Sequence, residues 1–280
     1  MSLTALKPSQ ELVDLVGTLR GEWHGYVAMC RCPAHTDHDP SLSLRQGDRD
    51  ILVHCFAGCD PILILRELRR VRPDRRYDVP SGKGRRTSPA NIERLWAEAG
   101  PVQGTPAERY LAMRRLPADL PDIRFHPRCP HGPKPLTRFK PALLVGVREG
   151  PRLTAFQRIF LDRATGWYQV KVMLGTPGGG AWRGGRAGTR LAIAEGFEDA
   201  AAFAALNDLP CWASLGAGRL HQLTIPDQVG ELLIAEDNDR ASRNAAARAG
   251  ECYSRPGLSI SRAPPPRSVK DWAEALEIAA

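Results

Sequence analysis

The sequence predicts an α/β protein of several domains, and three observations carry that prediction. Residues 188–280 alternate short apolar strands with helices, the pattern of a parallel sheet. Residues 1–70 hold two close pairs of Cys and His ligands separated by a loop, which marks a small metal-binding domain. Charge is also divided along the chain: residues 1–70 carry net −1, residues 71–187 net +13 and residues 188–280 net −4. The 280 residues suggest roughly two domains at about 150 residues each. With 42% apolar and 25% charged residues, such a chain can bury a core without disulfides.

The elements follow in order. Residues 9–20 predict a short helix capped by Ser9, with Leu12, Val13, Leu15 and Val16 on one face. After the Cys/His stretch from Cys30 to Cys59, residues 61–70 predict a helix with Ile62, Leu65 and Leu68 on one side. Residues 71–90 have linker composition and six basic residues: Arg72, Arg75, Arg76, Lys83, Arg85 and Arg86. They read as a domain boundary and as a tether suited to phosphates. Residues 91–187 form the middle region. It opens with helices over 92–99 and 107–115, then a strand meander over 141–174 broken by Glu-Gly and Ala-Thr-Gly turns. The seven glycines of residues 175–188 read as a connector or, with Arg183 and Arg186, a phosphate cradle. In the last region, strands at 191–194, 211–214, 231–235 and 258–261 alternate with helices at 199–206, 241–251 and 269–278. No internal repeat is present.

Several classes are excluded or disfavoured. No apolar run approaches the roughly 18 residues of a membrane span. The opening residues lack the charged and apolar regions of an export signal, and seven cysteines without one point to a reducing cytoplasm. No Gly-Lys-Ser/Thr phosphate loop occurs, so the chain should not be a helicase. The basic middle beside an acidic end suits a polyanion held by one part and metal-binding carboxylates in the other.

Cys32-Pro33-Ala34-His35 and Cys55-Phe56-Ala57-Gly58-Cys59 supply four ligands in two tight turns, which suits tetrahedral zinc. Four protein ligands leave no open position, so this zinc should be structural. Cys30, His38 and His54 read as neighbours of the site. His126, Cys129 and His131 offer three local ligands among prolines and read as a structural loop.

At the other end, Glu195-Gly196 directly follows the strand 191–194, and Asp237 and Asp239 follow the strand 231–235. Ligands of open α/β sheets gather beyond the carboxyl ends of strands. Two aspartates two apart can face one hard cation, with a Glu from the neighbouring strand completing the site. Mg²⁺ favours such carboxylates together with water and phosphate oxygens. The same Asp-Asn-Asp run would also cap a helix beginning near 241. Trp23, Trp96, Trp167 and Trp182 read as core residues or as stacking surfaces for bases.

The N-terminal stretch resembles the CHC2-type zinc ribbon of bacterial DNA primases. The likeness rests on Cys32-Pro33-x-His35, Asp39-Pro40-Ser41-Leu42-Ser43 and His54-Cys55-Phe56-x-Gly58-Cys59. Three residues separate the last two cysteines where many such ribbons have two. The last region resembles a Toprim domain through Glu195-Gly196-Phe197-Glu198-Asp199-Ala200, Ser214-Leu215-Gly216 and Asp237-x-Asp239. Lys270-Asp271-Trp272 resembles an element of plasmid and phage Toprim proteins. Ser242 departs from the usual glycine. Residues 107–183, with Arg124 to His131 and Gln157-Arg158, resemble the segment between ribbon and Toprim in mobile-element primases.

The resemblance implies a DNA primase of phage or plasmid type, a nucleotidyltransferase making RNA primers on single-stranded DNA from NTPs during replication. It implies Glu195, Asp237 and Asp239 as catalytic residues, and Glu195, Asp199, Asp237 and Asp239 as ligands of Mg²⁺ or Mn²⁺. Glu198 and Glu236 would face solvent or neighbours of the site. Arg158, Lys171 and Arg183 are the candidate phosphate contacts. The zinc ligands are Cys32, His35, Cys55 and Cys59, and a separate replicative helicase would be a partner. A Toprim nuclease and a non-catalytic zinc-containing nucleic-acid adaptor are the competing readings.

Overall fold

The computed structural model describes residues 6–24, 26–38, 40–47, 50–79, 89–132 and 137–279. Asp39 of the N-terminal motif and Lys83, Arg85 and Arg86 of the basic linker lie outside the described residues. The chain divides into two compact units. One comprises Leu3–Arg86 with His131–Arg138, and the other comprises Thr87–Pro130 with Phe139–Ala280. No helix among the described residues is long and apolar enough to cross a membrane.

In the first unit, helix α1 (Gln10–Thr18) starts where the Ser9 hydroxyl accepts from the Leu12 N–H at 3.2 Å. Strands β1 (Glu22–His24), β2 (Val27–Cys30), β3 (Leu42–Gln46) and β4 (Ile51–Cys55) form an antiparallel sheet in that order. Helix α2 (Pro61–Leu68) follows, with Asp60 accepting from the Ile62 and Leu63 N–H groups and Pro61 in the first turn. Leu12, Val16, Ala28, Leu42, Leu44, Ile64 and Leu68 make the core. Ile62, expected on the buried side of α2, is 78% exposed; Ile64 and Leu68 face inward instead. The first part of the expected linker is not a tether. The Tyr77 N–H donates to Asp14 at 2.9 Å, the Tyr77 carbonyl accepts from Gln10, and the Thr18 hydroxyl donates to Asp74, so residues 74–77 return to α1.

The second unit begins with helices α3 (Pro89–Glu98) and α4 (Pro106–Met113). Strands β5 (Ile123–His131), β6 (Arg138–Glu149), β7 (Arg152–Leu161) and β8 (Tyr168–Gly175) form the meander; β5, with His126 and Cys129 on it, was not expected as a strand. Alternate residues of β6 enter different cores. Ala142 and Leu144 pack with Ile92 and Leu95 of α3, while Leu143 and Val145 face the opposite way.

The second sheet has the order β13-β12-β10-β11-β9. Its strands are β9 (Trp182–Arg183), β10 (Arg190–Ala194), β11 (Cys211–Ala213), β12 (Glu231–Ala235) and β13 (Ser259–Ala263). β10, β11, β12 and β13 run parallel, and the short β9 joins the edge antiparallel. Helices α5 (Phe197–Asn207), α6 (Arg240–Tyr253) and α7 (Trp272–Ala279) complete the unit. Both faces of β10 are covered, as a parallel sheet requires: Leu191 and Ile193 join Leu232, Ile234 and Ala246, and Ala192 and Ala194 face the other way.

The segments on either side of the expected boundary between 187 and 188 pack against one another. Leu143, Val145 and Ile159 of the meander share a single core with Trp182, Ala192, Ala194, Phe197 and Ala200 of the parallel sheet. The glycine-rich segment is held rather than loose. Arg219, 1% exposed, donates to the Gly178 carbonyl at 3.0 Å, to the Gly180 carbonyl at 2.8 Å and to the Ser214 carbonyl. These are carbonyls bound to a cation, the reverse of N–H groups presented to phosphate. Burial pushes the Arg219 pKa down to about 10, still charged at neutral pH. Arg219→Met should lower the unfolding free energy by about 3 kcal/mol, because it leaves buried carbonyls unpaired. Chemical denaturation of the two proteins measures it; equal midpoints would show that the segment needs no such anchor.

Candidate active site and zinc centre

Strand register determines where the acidic residues emerge. Ala194, the last residue of β10, pairs with Ala235 of β12 on one side and Ala213 of β11 on the other. Glu195, Glu236 and Ser214 therefore leave the sheet at one edge. The chain runs from β10 to β11 on one side and from β12 to β13 on the other, so the crevice between β10 and β12 is a topological switch point. Glu195 and the Asp237-Asn238-Asp239 loop flank it.

Local chemistry shapes each side. Gly196 has φ −91°, which any residue adopts, so its need is spatial: a Cβ there would lie 2.5 Å from Oδ2 of Asp199. The half-buried Asp199 carboxylate also accepts from the Ala273 N–H at the start of α7, at 3.1 Å. Burial and the charges of Asp271 and Glu198 push its pKa up to about 6. Asp237 is pushed up to about 7, by burial and then by Asp199, Glu195, Asp271 and Asp239. Asp237 thus feels every other carboxylate of the site, including Asp271, to which the sequence reading gave no metal role.

The loop is braced by neutral groups. Asp239 caps α6 by accepting from the Ser242 N–H at 2.8 Å, while the Ser242 hydroxyl accepts from the Asp237 N–H at 2.8 Å. Capping and a place in the acidic site coexist at Asp239. Ser242 does more than replace a glycine, since its side chain fixes the Asp237 backbone. Asn238 donates its N–H to the Lys270 carbonyl at 2.8 Å and its side-chain amide to the Val269 carbonyl at 2.7 Å. That stitch holds the segment carrying Asp271 beside the loop.

Glu198 does not face solvent. It is 3% exposed and accepts from Lys171 Nζ at 2.8 Å on both oxygens and from the Tyr110 hydroxyl. Burial opposes its ionisation, but the Lys171 charge and these hydrogen bonds hold its pKa below the usual range. Glu236 is also buried, paired with Arg262 of β13. The three basic candidates are engaged elsewhere. Lys171 serves Glu198. The Arg158 guanidinium is buried and donates to the Pro130 carbonyl at 2.7 Å. Arg183 stacks on Trp212 at 4.7 Å and donates to the Gly150 carbonyl. It lines a cavity of about 580 Å³ with Arg148, Arg186 and Trp212, beside Ala187 and Gln228 at the amino ends of the strands, away from the acids.

The carboxylates suit a hard divalent cation by donor type and by their mutual repulsion, which such an ion relieves. They are spread more widely than the soft ligands. Among the described residues, Cys32, His35, Cys55 and Cys59 are the group whose ligand atoms all lie within 4.8 Å of one another. Bonds of about 2.3 Å to sulfur place tetrahedral ligand atoms about 3.8 Å apart, so zinc fits this set. Burial first, with the charges of Cys55 and Cys59, pushes the Cys32 thiol up to about 12 against the Ala34 backbone N–H. A bound cation would offset that cost of ionisation.

Asp37, not singled out in the sequence, organises this centre. Its Oδ2 accepts from the Cys32 N–H at 2.7 Å and the Ser41 hydroxyl at 2.5 Å, and its Oδ1 lies 3.7 Å from His35 Nε2. His35 Nδ1 faces Cys59 Sγ at 3.2 Å. A histidine that ligates through one nitrogen and meets a carboxylate at the other is held in one tautomer and orientation.

Two family models match the chain. Residues 86–184 match a domain of unknown function (DUF7146), and residues 190–279 match the Toprim domain. Residues 190–279 form a Toprim domain. Its acidic edge is the one described above, and the Cys/His cluster is consistent with a zinc ribbon. No curated protein matches the chain in sequence. Solved structures similar to it include a DNA primase domain from Pseudomonas aeruginosa, at 16% identity over 67% of this chain and 73% of that one, TM-score 0.49. The Aquifex aeolicus primase, comprising zinc-binding and RNA polymerase domains, matches at 12% identity over 96% and 81%, TM-score 0.47. The primase fragment of the bacteriophage T7 primase-helicase matches at 13% identity over 92% and 98%, TM-score 0.41.

Two outcomes follow for the centres. Asp37→Ala should weaken zinc binding about 10- to 100-fold while keeping all four ligands, as measured by competition with a chromogenic chelator. Unchanged affinity would remove Asp37 from the centre. At the Toprim edge, Asp237 and Asp199 have pKa values raised above the 3.8 of an ordinary Asp, to about 7 and about 6. Their contribution to stability is present below about pH 4 and is lost as pH rises through the folded values. Without added Mg²⁺, Asp237→Asn should therefore melt higher than the unsubstituted protein at pH 8, and the two should converge near pH 4. A variant that melts lower at pH 8 would contradict the repulsion.

Proposed function

We propose that this chain is a metal-dependent, DNA primase-like nucleotidyltransferase that synthesises RNA primers on single-stranded DNA during replication of a phage or plasmid. The observation that carries the reading is the Toprim acidic edge at a switch point, in a chain that also holds a zinc-suited Cys/His set and a strongly basic middle. A nuclease needs the same edge, but the zinc-suited set and net +13 over residues 71–187 favour a template-bound polymerase.

In the proposed reaction a ribose 3′-hydroxyl attacks the α-phosphate of an NTP, a new phosphodiester forms, and pyrophosphate leaves. Glu195, beside the crevice, takes the hydroxyl proton. Glu195, Asp199, Asp237 and Asp239 would hold Mg²⁺ or Mn²⁺, which lowers the hydroxyl pKa and neutralises charge developing at phosphorus. Asn238 and Ser242 keep the two loop aspartates oriented, so little reorganisation is needed at reaction. Strand opening falls to a separate helicase.

Incubation with single-stranded DNA, labelled NTPs and Mg²⁺ tests the reading. Primer should form, and Asp237→Asn and Glu195→Gln should each cut turnover at least about 100-fold while template affinity changes little. Shortened DNA would assign a Toprim nuclease, and binding alone a zinc-containing adaptor.

A further inference from the structure

We infer that the turn between β7 and β8, together with α4, forms a stacking platform that holds the bases of single-stranded nucleic acid beside the Toprim edge. The inference rests on the nucleic-acid reading above and gives it a binding surface. Trp167 and Tyr168 are 44% and 36% exposed although both are large aromatics. The two rings lie 5.6 Å apart, and the buried Tyr110 ring meets each edge-on at 6.3 Å from below.

Cations border the rings. The Arg114 guanidinium lies 5.3 Å from the Trp167 ring centre and Lys171 Nζ lies 5.2 Å from that of Tyr168. Arg109 and Arg163 are exposed, joined by a 2.8 Å hydrogen bond from the Arg109 guanidinium to the Arg163 carbonyl. Neither forms an ion pair among the described residues. Arg114 is paired with Glu277 at 2.7 Å, which leaves Arg109 of α4 and Arg163 of the turn as the charges open to phosphate; exposed aromatics with such arginines on the same elements match the two faces of a single strand, bases for stacking and phosphates for charge. A duplex hides its bases, so the rings would contribute nothing to binding one.

The platform is rigid before any ligand arrives. One oxygen of Asp162 accepts from the N–H groups of Ala164 and Thr165 and from the Thr165 hydroxyl, at 2.8–3.0 Å. The Asp162 N–H donates to the Trp167 carbonyl at 2.8 Å, closing the turn. Gly166 has φ +79°, and a Cβ there would sit 3.1 Å from Arg109 Cβ and the Pro106 carbonyl, so only glycine lets the turn lie on α4. The platform also reaches the acidic edge. Tyr110 and Lys171, which support the rings, both hydrogen-bond Glu198, the residue before Asp199.

The test compares the full chain with three double variants, without divalent ions, by anisotropy of labelled strands. The strands are an oligothymidylate of about 10 nucleotides and an abasic strand of equal length. Trp167→Ala with Tyr168→Ala should weaken oligothymidylate binding about 10-fold and leave abasic binding unchanged, which also shows that the variant is folded. Trp167→Phe with Tyr168→Phe should restore most of the affinity. Arg109→Ala with Arg163→Ala should weaken both strands and flatten the salt slope by roughly 0.7 per arginine. Unchanged oligothymidylate affinity in the alanine pair, or an equal loss on both strands, would overturn the platform. If the unsubstituted chain binds neither strand, the nucleic-acid reading itself fails.

Discussion

The common register of β10, β11 and β12 is the constraint on which the site depends. Because Ala194 stands level with both Ala213 and Ala235, the residues that follow these strands emerge together at one edge. A slip of one residue on β12 would turn Leu232 and Ile234 out of their core and carry the aspartate loop with them. The apolar cores on the two faces therefore specify the position of the acids as firmly as any contact the acids make themselves.

Like charges brought to one edge repel, and the surroundings manage that repulsion in two ways. Asp199 and Asp237 stay easily protonated, and neutral hydrogen bonds hold the loop without cancelling its charge: the Ser242 hydroxyl accepting from the Asp237 N–H, the α6 terminus donating to Asp239 and the α7 terminus donating to Asp199. Glu198 is handled differently. Buried one residue from Asp199, it is neutralised by Lys171 of the meander. The meander is thereby tied to the acidic edge, consistent with the single core that the two share.

The ligand centre of the other unit follows the same logic with softer atoms. Four ligands are gathered by two tight turns, and a carboxylate that is not a ligand, Asp37, bonds the backbone of one turn and faces the histidine. In both units the groups suited to metal sit on loops or at the ends of elements, Cys55 closing β4 and Asp199 in the first turn of α5, while the regular elements and neutral hydrogen bonds decide their aim.

The sequence by itself determined the features that are local. Strand and helix alternation over residues 188–280, the tight Cys/His pairs and the order Glu195 then Asp237-x-Asp239 depend on short spacings, and periodicity within one element reports them. Local signals could not assign partners. Lys171 read as a phosphate contact because a lone basic residue on a strand carries no sign of its partner, 27 residues away. The partners of Arg158 and Arg183 were hidden for the same reason, since main-chain carbonyls, which leave no mark in a sequence, accept from their guanidinium groups. Asp271 joins the acids only because Asn238 reaches the carbonyls before α7. The glycine at 196 was visible, but its reason, room for the Asp199 carboxylate, was not. That the segments on either side of 187 share one core was not legible either, because burial brings apolar residues together over long chain separations. Tertiary structure decided which charges meet and which are spent, because Coulomb interaction and desolvation depend on distance in space rather than along the chain.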